Sequence, residues 1–193
     1  MPMSVRWRSR CLRWQARMLV VLGDRRAALG RLEQLLHLQA DDSHALASCA
    51  HLLAELGDWT AALQAQRRVV AITPDSAAAW FNLGYLCEAA DQNEAAQSAF
   101  DRALALNPEL DRAWYGLALC LIRQQRLDEA VPALLKNTEL QPMSPHGWYQ
   151  LARVQAARNQ PDEALKIIHH LRCFEPKVAA QLQRETGLGA SAA

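Results

Sequence analysis

Residue types recur along this chain every 34 positions, and that recurrence restricts the fold more than any other feature of the sequence. Trp80, Trp114 and Trp148 keep the spacing, as do Pro74, Pro108, Pro142 and Pro176, and the series Ala28, Ala62, Ala96, Ala130 and Ala164. The phase holds without insertion from residue 9 to residue 178, giving five units: 9–42, 43–76, 77–110, 111–144 and 145–178. A unit this short cannot bury a core by itself, so its stability must come from stacking on its neighbours.

Within a unit the apolar spacing is helical, twice over. In the third, Trp80, Leu83, Gly84 and Cys87 form one stripe and Ala96, Phe100, Ala103 and Leu104 a second, with a polar break from Ala90 to Asn93. Leu106-Asn107-Pro108 stops the second helix, because proline disfavours helical geometry in the residue before it. The breaks contain Gly23-Asp24, Gly57-Asp58 and Asn159-Gln160-Pro161-Asp162, where Gly suits a helix C-terminus, Asp an N-cap and Pro the first helical position. Composition agrees: 51% of residues are hydrophobic but only 6% aromatic, with Ala and Leu, both strong helix formers, dominating.

With Trp80, Leu83, Gly84, Ala96, Phe100, Ala103 and Pro108 in place, the chain resembles the tetratricopeptide repeat family. The fourth unit matches at Trp114, Leu117, Ala118, Ala130 and Pro142, and the fifth at Trp148, Leu151, Ala152, Ala164 and Pro176. The first two are looser, with Leu12 and Leu46 at the Trp position and Ala40 in place of the first proline; Cys87 replaces a Tyr. The resemblance implies an all-α, right-handed superhelical solenoid of five helix-turn-helix repeats. Small residues at 16, 50, 84, 118 and 152 let paired helices approach, and a bulkier side chain there costs roughly 1–3 kcal/mol. Residues 1–8 are expected to form a basic arm. Residues 177–193 are expected to form a short capping helix, with Val178 and Leu182 inward, followed by a disordered tail. Gln66 and Asn137 stand where the pattern wants apolar residues, and Pro132 is expected to bend the helix that contains it.

Chemistry-bearing motifs are missing from the sequence: no phosphate loop, no GxGxxG, no HExxH and no GxSxG. Neither His169-His170 nor the His44, Cys49, His51 group has the further ligands that a tetrahedral metal site needs. An enzyme is not expected, nor a cofactor or metal. Five cysteines without a CxxC pair do not make a disulfide framework, and Cys49, Cys87 and Cys120 are expected as small core residues. The longest early apolar run, Met18 to Leu22, is too short for a signal core or a membrane span, so a cytoplasmic location is expected.

What remains is a surface. In the family resembled, first helices line a concave face where partner peptides dock. Carrying that register over places Arg10, Arg13, Trp14 and Arg17 in the groove from the first unit, and His44, Ser48, His51 and Glu55 from the second. The third supplies Phe81, Asn82, Tyr85 and Glu88; the fourth and fifth add Arg112, Tyr115, Leu119, Arg123, His146, Tyr149, Gln150 and Arg153. Arg gives planar multi-donor recognition of carboxylates, and aromatics give contact area at low entropic cost. The expected partner is an acidic protein segment, extended or helical, with apolar anchors, and the expected role is that of an adaptor, scaffold or assembly chaperone. The clamp of Lys, Asn, Asn, Lys and Arg by which some relatives grip chaperone tails is incomplete. Asn82 and Arg112 occupy two of its places, whereas Ala47, His51 and Gly116 depart from it.

Charge supplies the alternatives. Net charge is +1, yet residues 1–31 hold eight arginines against Asp24 alone, so a basic head sits on a mildly acidic body. That body argues against a nucleic-acid groove, although Arg with aromatics could track phosphates and stack bases. A structural subunit of a membrane-associated assembly, its residues 1–17 touching anionic lipid, is the stronger alternative. Trp7 and Trp59 are expected to be exposed, which leaves self-association open.

Overall fold

A computed structural model describes residues 5–189, and among these every regular element is a helix. The outermost parts of the expected arm and tail, residues 1–4 and 190–193, lie outside the described residues. The chain divides into two compact units, residues 1–92 and 93–193.

The first unit contains α1 (Val5–Val21), α2 (Arg25–Leu38), α3 (Ser43–Glu55), α4 (Trp59–Ile72) and α5 (Ala77–Ala89), each packed on the next. α1 already begins at Val5, so residues 5–8 of the expected arm are helix. Short polar side chains start the helices that follow. Asp24 and Asp58 accept the N–H of Ala27 and Ala61 at 3.0 Å, capping α2 and α4; Asp42 and Ser76 do the same for α3 and α5 through Ala45 and Ala79. The core at the start of this unit joins Leu12 and Ala16 of α1, Ala28, Leu32 and Leu35 of α2, and Ala45, Cys49 and Leu52 of α3.

The second unit contains α6 (Asn93–Leu106), α7 (Asp111–Arg123), α8 (Leu127–Leu140), α9 (Pro145–Ala157), α10 (Pro161–Phe174) and α11 (Pro176–Thr186). Successive helices pack in order, and α11 also lies on α9. Proline opens α9, α10 and α11, where its missing N–H is not needed. Leu182 of α11 is fully buried at the same phase of the repeat as Leu12, Leu46 and the three tryptophans, so the capping helix begins another turn of the same pattern.

Several periodic residues have a visible task. The indole N–H groups of Trp80, Trp114 and Trp148 donate to the carbonyls of Pro74, Pro108 and Pro142, each at 2.8 Å. Each bond ties the first turn of a helix to the bend before it. The bend inside each pair is set by one residue with positive φ, at Gly23, Gly57, Asp91, Gln125 and Asn159, again 34 apart. Ala28, Ala62, Ala96, Ala130 and Ala164 are all 0% exposed.

The residues that depart from the pattern are accommodated. Gln66 is buried and donates to the Ala79 carbonyl at 2.8 Å; Asn137 is buried and donates to the Asp111 carbonyl at 2.9 Å. A buried amide with a partner avoids most of the cost of desolvation. The carbonyl oxygen of Asn137 fills the space where a side chain at Gly147 would start. Pro132 leaves the Asp128 carbonyl without its helical donor, yet α8 runs on to Leu140 because this proline faces solvent.

Candidate functional site

In the first unit, α1 and α3 part to leave an open cavity of about 710 Å³. Its walls are Arg13, Ala16, Arg17, Val20 and Val21 of α1 and His44, Ala45, Ala47, Ser48, His51 and Leu52 of α3, with Leu32 of α2 in the floor. The division is chemical: aliphatic side chains make the floor, and two arginines and two histidines stand at the rim. This follows from helix periodicity, because Ala16 and Val20 lie one turn apart on α1 while Arg13 and Arg17 repeat at the same interval beside them.

The rim is partly held by its own acids. Arg13 donates to Asp42 at 2.6 Å, and the other oxygen of Asp42 caps α3. That geometry fixes the Arg13 guanidinium against the mouth. Glu55 lies 3.7 Å from His51 but is bound by Arg25 at 2.6 Å. The Arg25 hydrogen bond, assisted by its charge, holds the Glu55 carboxyl below its ordinary range despite some opposing desolvation. Arg17 has no ion-pair partner among the described residues. The cavity therefore offers an apolar pocket with a net positive edge.

Of the residues expected to line a groove, Arg13, Arg17, His44 and His51 meet at this cavity, with Ser48. Arg10 and Trp14 do not line it. They lie on a part of α1 turned away from its buried side, and Trp14 is 65% exposed. On α5, Asn82 and Tyr85 are exposed and Phe81 is half-buried.

The second unit carries the remainder. Arg112 and His146 are exposed at the starts of α7 and α9, and Tyr115 is half-buried. Arg123 donates to the Asn93 side chain at 3.3 Å. The Arg153 guanidinium carbon lies 5.6 Å from the centre of the Tyr149 ring, a cation–π distance. The Tyr149 hydroxyl donates to Glu185 of α11 at 2.7 Å, and Gln181 donates to the other oxygen of the same carboxylate at 2.8 Å. The bond to Glu185 raises the Tyr149 hydroxyl above its ordinary pKa, whereas the bonds from Gln181 and Tyr149 lower the carboxyl. Tyr149 is thus engaged by the chain's own C-terminal helix. Gly116 is buried, and a Cβ there would lie 2.5 Å from the Phe100 ring.

Asp42 and Glu185 each bind a candidate residue, Arg13 and Tyr149, and the repeat register does not single them out. The signal for Asp42 was its position just before Ser43 and His44, where an N-cap belongs. Glu185 carries no comparable signal, since the repeat places α11 on α9 without marking which polar side chain of α11 meets Tyr149.

Among the described residues no helix is long and apolar enough to cross a membrane, and no group of three His, Cys, Asp or Glu side chains could hold a metal ion.

Comparison with known proteins agrees with this architecture. Tetratricopeptide repeat signatures match residues 15–77, 50–92, 88–138 and 145–168. No curated protein matches in sequence. Among solved structures, residues 41 to the end of MamA from Desulfovibrio magneticus align at a TM-score of 0.78 and 21% identity, covering 92% of this chain and 96% of that one. YrrB, described as a tetratricopeptide repeat protein with an unusual peptide-binding site, aligns at 0.76 and 19% identity, covering 88% of each chain. PilW, a type IV pilus biogenesis factor, aligns at 0.76 and 21% identity, covering 94% of this chain and 87% of that one. At such identities the likeness is one of fold. The repeat signatures span well over half of the sequence, and the chain belongs to the tetratricopeptide repeat family.

Proposed function

We propose that this protein is an adaptor or scaffold that holds an acidic segment of a partner protein against α1 and α3. Membership of the family supports a protein–protein interaction module. The observation that carries the finer reading is the cavity itself: an aliphatic floor in a space of about 710 Å³, edged by Arg13, Arg17, His44 and His51. An apolar anchor gains from burial in such a floor, and a carboxylate beside it meets Arg17 and competes with Asp42 for Arg13. In the same unit Tyr85 offers a further exposed contact of a type enriched at binding hot spots. A cytoplasmic setting is part of the same proposal.

A random-peptide display selection on the full chain tests this. Enriched sequences should combine an aliphatic or aromatic residue with Asp or Glu within a few positions. The double substitution Arg17→Glu, His44→Glu should abolish that enrichment while leaving helicity unchanged. Enrichment of basic or neutral peptides, or equal enrichment on both proteins, would remove the acidic-ligand reading.

A further inference from the structure

We propose that the outer face of α1 lies on the surface of an anionic lipid bilayer. Ser9, Leu12 and Ala16 point into the core, and Trp7, Trp14, Met18 and Val21 recur on the opposite side of the same helix. These four are 64%, 65%, 40% and 79% exposed, and Leu22 extends the patch at 74%. An apolar stripe of this length, held open to solvent, is the part of the molecule that most needs cover.

The charges beside the stripe select the occupant. α1 contains five arginines and no acid. Arg6 and Arg10 border the tryptophans on one side and Arg8 on the other, and none of the three forms an ion pair among the described residues. Tryptophan between arginines on one side of a helix is the arrangement that settles in the headgroup layer, with rings at the acyl boundary and guanidiniums on the phosphates. A second copy would bring two such rows of arginine together, and repulsion opposes that pairing. The stripe is also a convex helix side rather than a pocket, which suits a flat layer more than a peptide. Val21 lies where the stripe meets the α1–α3 cavity, whereas Trp7, Trp14 and Met18 do not line that cavity, so one helix serves membrane and partner on adjoining sides.

The test is co-sedimentation of the full chain with vesicles of phosphatidylcholine and phosphatidylserine at 70:30, against phosphatidylcholine alone. Binding to the mixed vesicles only, with a blue shift of tryptophan emission, is expected. Trp7→Ala with Trp14→Ala should abolish both signals. Arg6→Gln, Arg8→Gln and Arg10→Gln together should weaken binding at least about tenfold, given the contribution of each basic residue near such a surface. All five side chains are exposed, so circular dichroism should be unchanged. No binding to the mixed vesicles overturns the proposal. So does binding that survives loss of both tryptophans, which is adsorption by charge alone. A tryptophan-dependent dimer in sedimentation velocity, without vesicle binding, assigns the face to a second copy instead.

Discussion

At the scale of single residues, close approach and open space predict opposite effects for the same substitution. Gly116→Ala forces a methyl group into the Phe100 ring, and Gly147→Ala forces one into the Asn137 amide. Each should destabilise the fold by about 1–3 kcal/mol in urea unfolding. Gly30 lies inside α2 with nothing within 4 Å of an added Cβ, so Gly30→Ala should stabilise by about 0.5–1 kcal/mol. Burial, reinforced by the charge of Glu33, raises the Cys49 thiol from 9.0 to about 11. The folded state therefore keeps its proton where the unfolded thiol has lost it. The resulting stability is complete below pH 9.0 and is lost as pH rises towards about 11. Denaturation midpoints between those values should fall less steeply for Cys49→Ala than for the wild type.

At the scale of elements, the bend within each helix pair is the place to test the periodic argument. Gly23 and Gly57 occupy the left-handed conformation at no steric cost, whereas Asp91, Gln125 and Asn159 hold it with a side chain. Gln125→Gly should gain about 0.5–1 kcal/mol, and Gly57→Ala should lose about 1 kcal/mol, both measurable by thermal unfolding. This contrast marks how far the sequence could be read. Helix pairs, small contact residues and the tryptophan series follow from spacing, because a 34-residue recurrence at helical intervals has few other folded solutions. Gln125 carries no such mark; its backbone conformation is imposed by the turn that its neighbours build. Likewise the indole of Trp114 reads as a core ring, and only the fold shows its N–H on the Pro108 carbonyl. Gln66 and Asn137 look like faults in the pattern until their backbone partners are seen.

At the scale of the whole molecule, register alone placed candidate residues on first helices but not on one side of them. Arg13, Arg17, His44 and His51 converge on one cavity, whereas Trp14 and Arg10 of the same helix do not, because a helix of 17 residues presents every direction in turn. The bond from Tyr149 to Glu185 joins residues 36 apart: the repeat carries α11 onto α9, but the spacing does not mark which of the polar side chains of α11 meets Tyr149. Two faces of one helix then divide the labour proposed for the molecule, a cavity for a protein segment and an arginine–tryptophan stripe for lipid.

Affinity capture from the native cell would show whether partners are held through the basic-edged faces of the first helices. Wild type would be compared with two variants by mass spectrometry: Arg17→Glu, His44→Glu in the first unit, and Arg112→Glu, Tyr149→Ala, Arg153→Glu in the second. At least one protein with an acidic segment should be recovered with the wild type and lost from the first variant, at unchanged helicity. Equal recovery of every captured protein with all three would contradict this expectation.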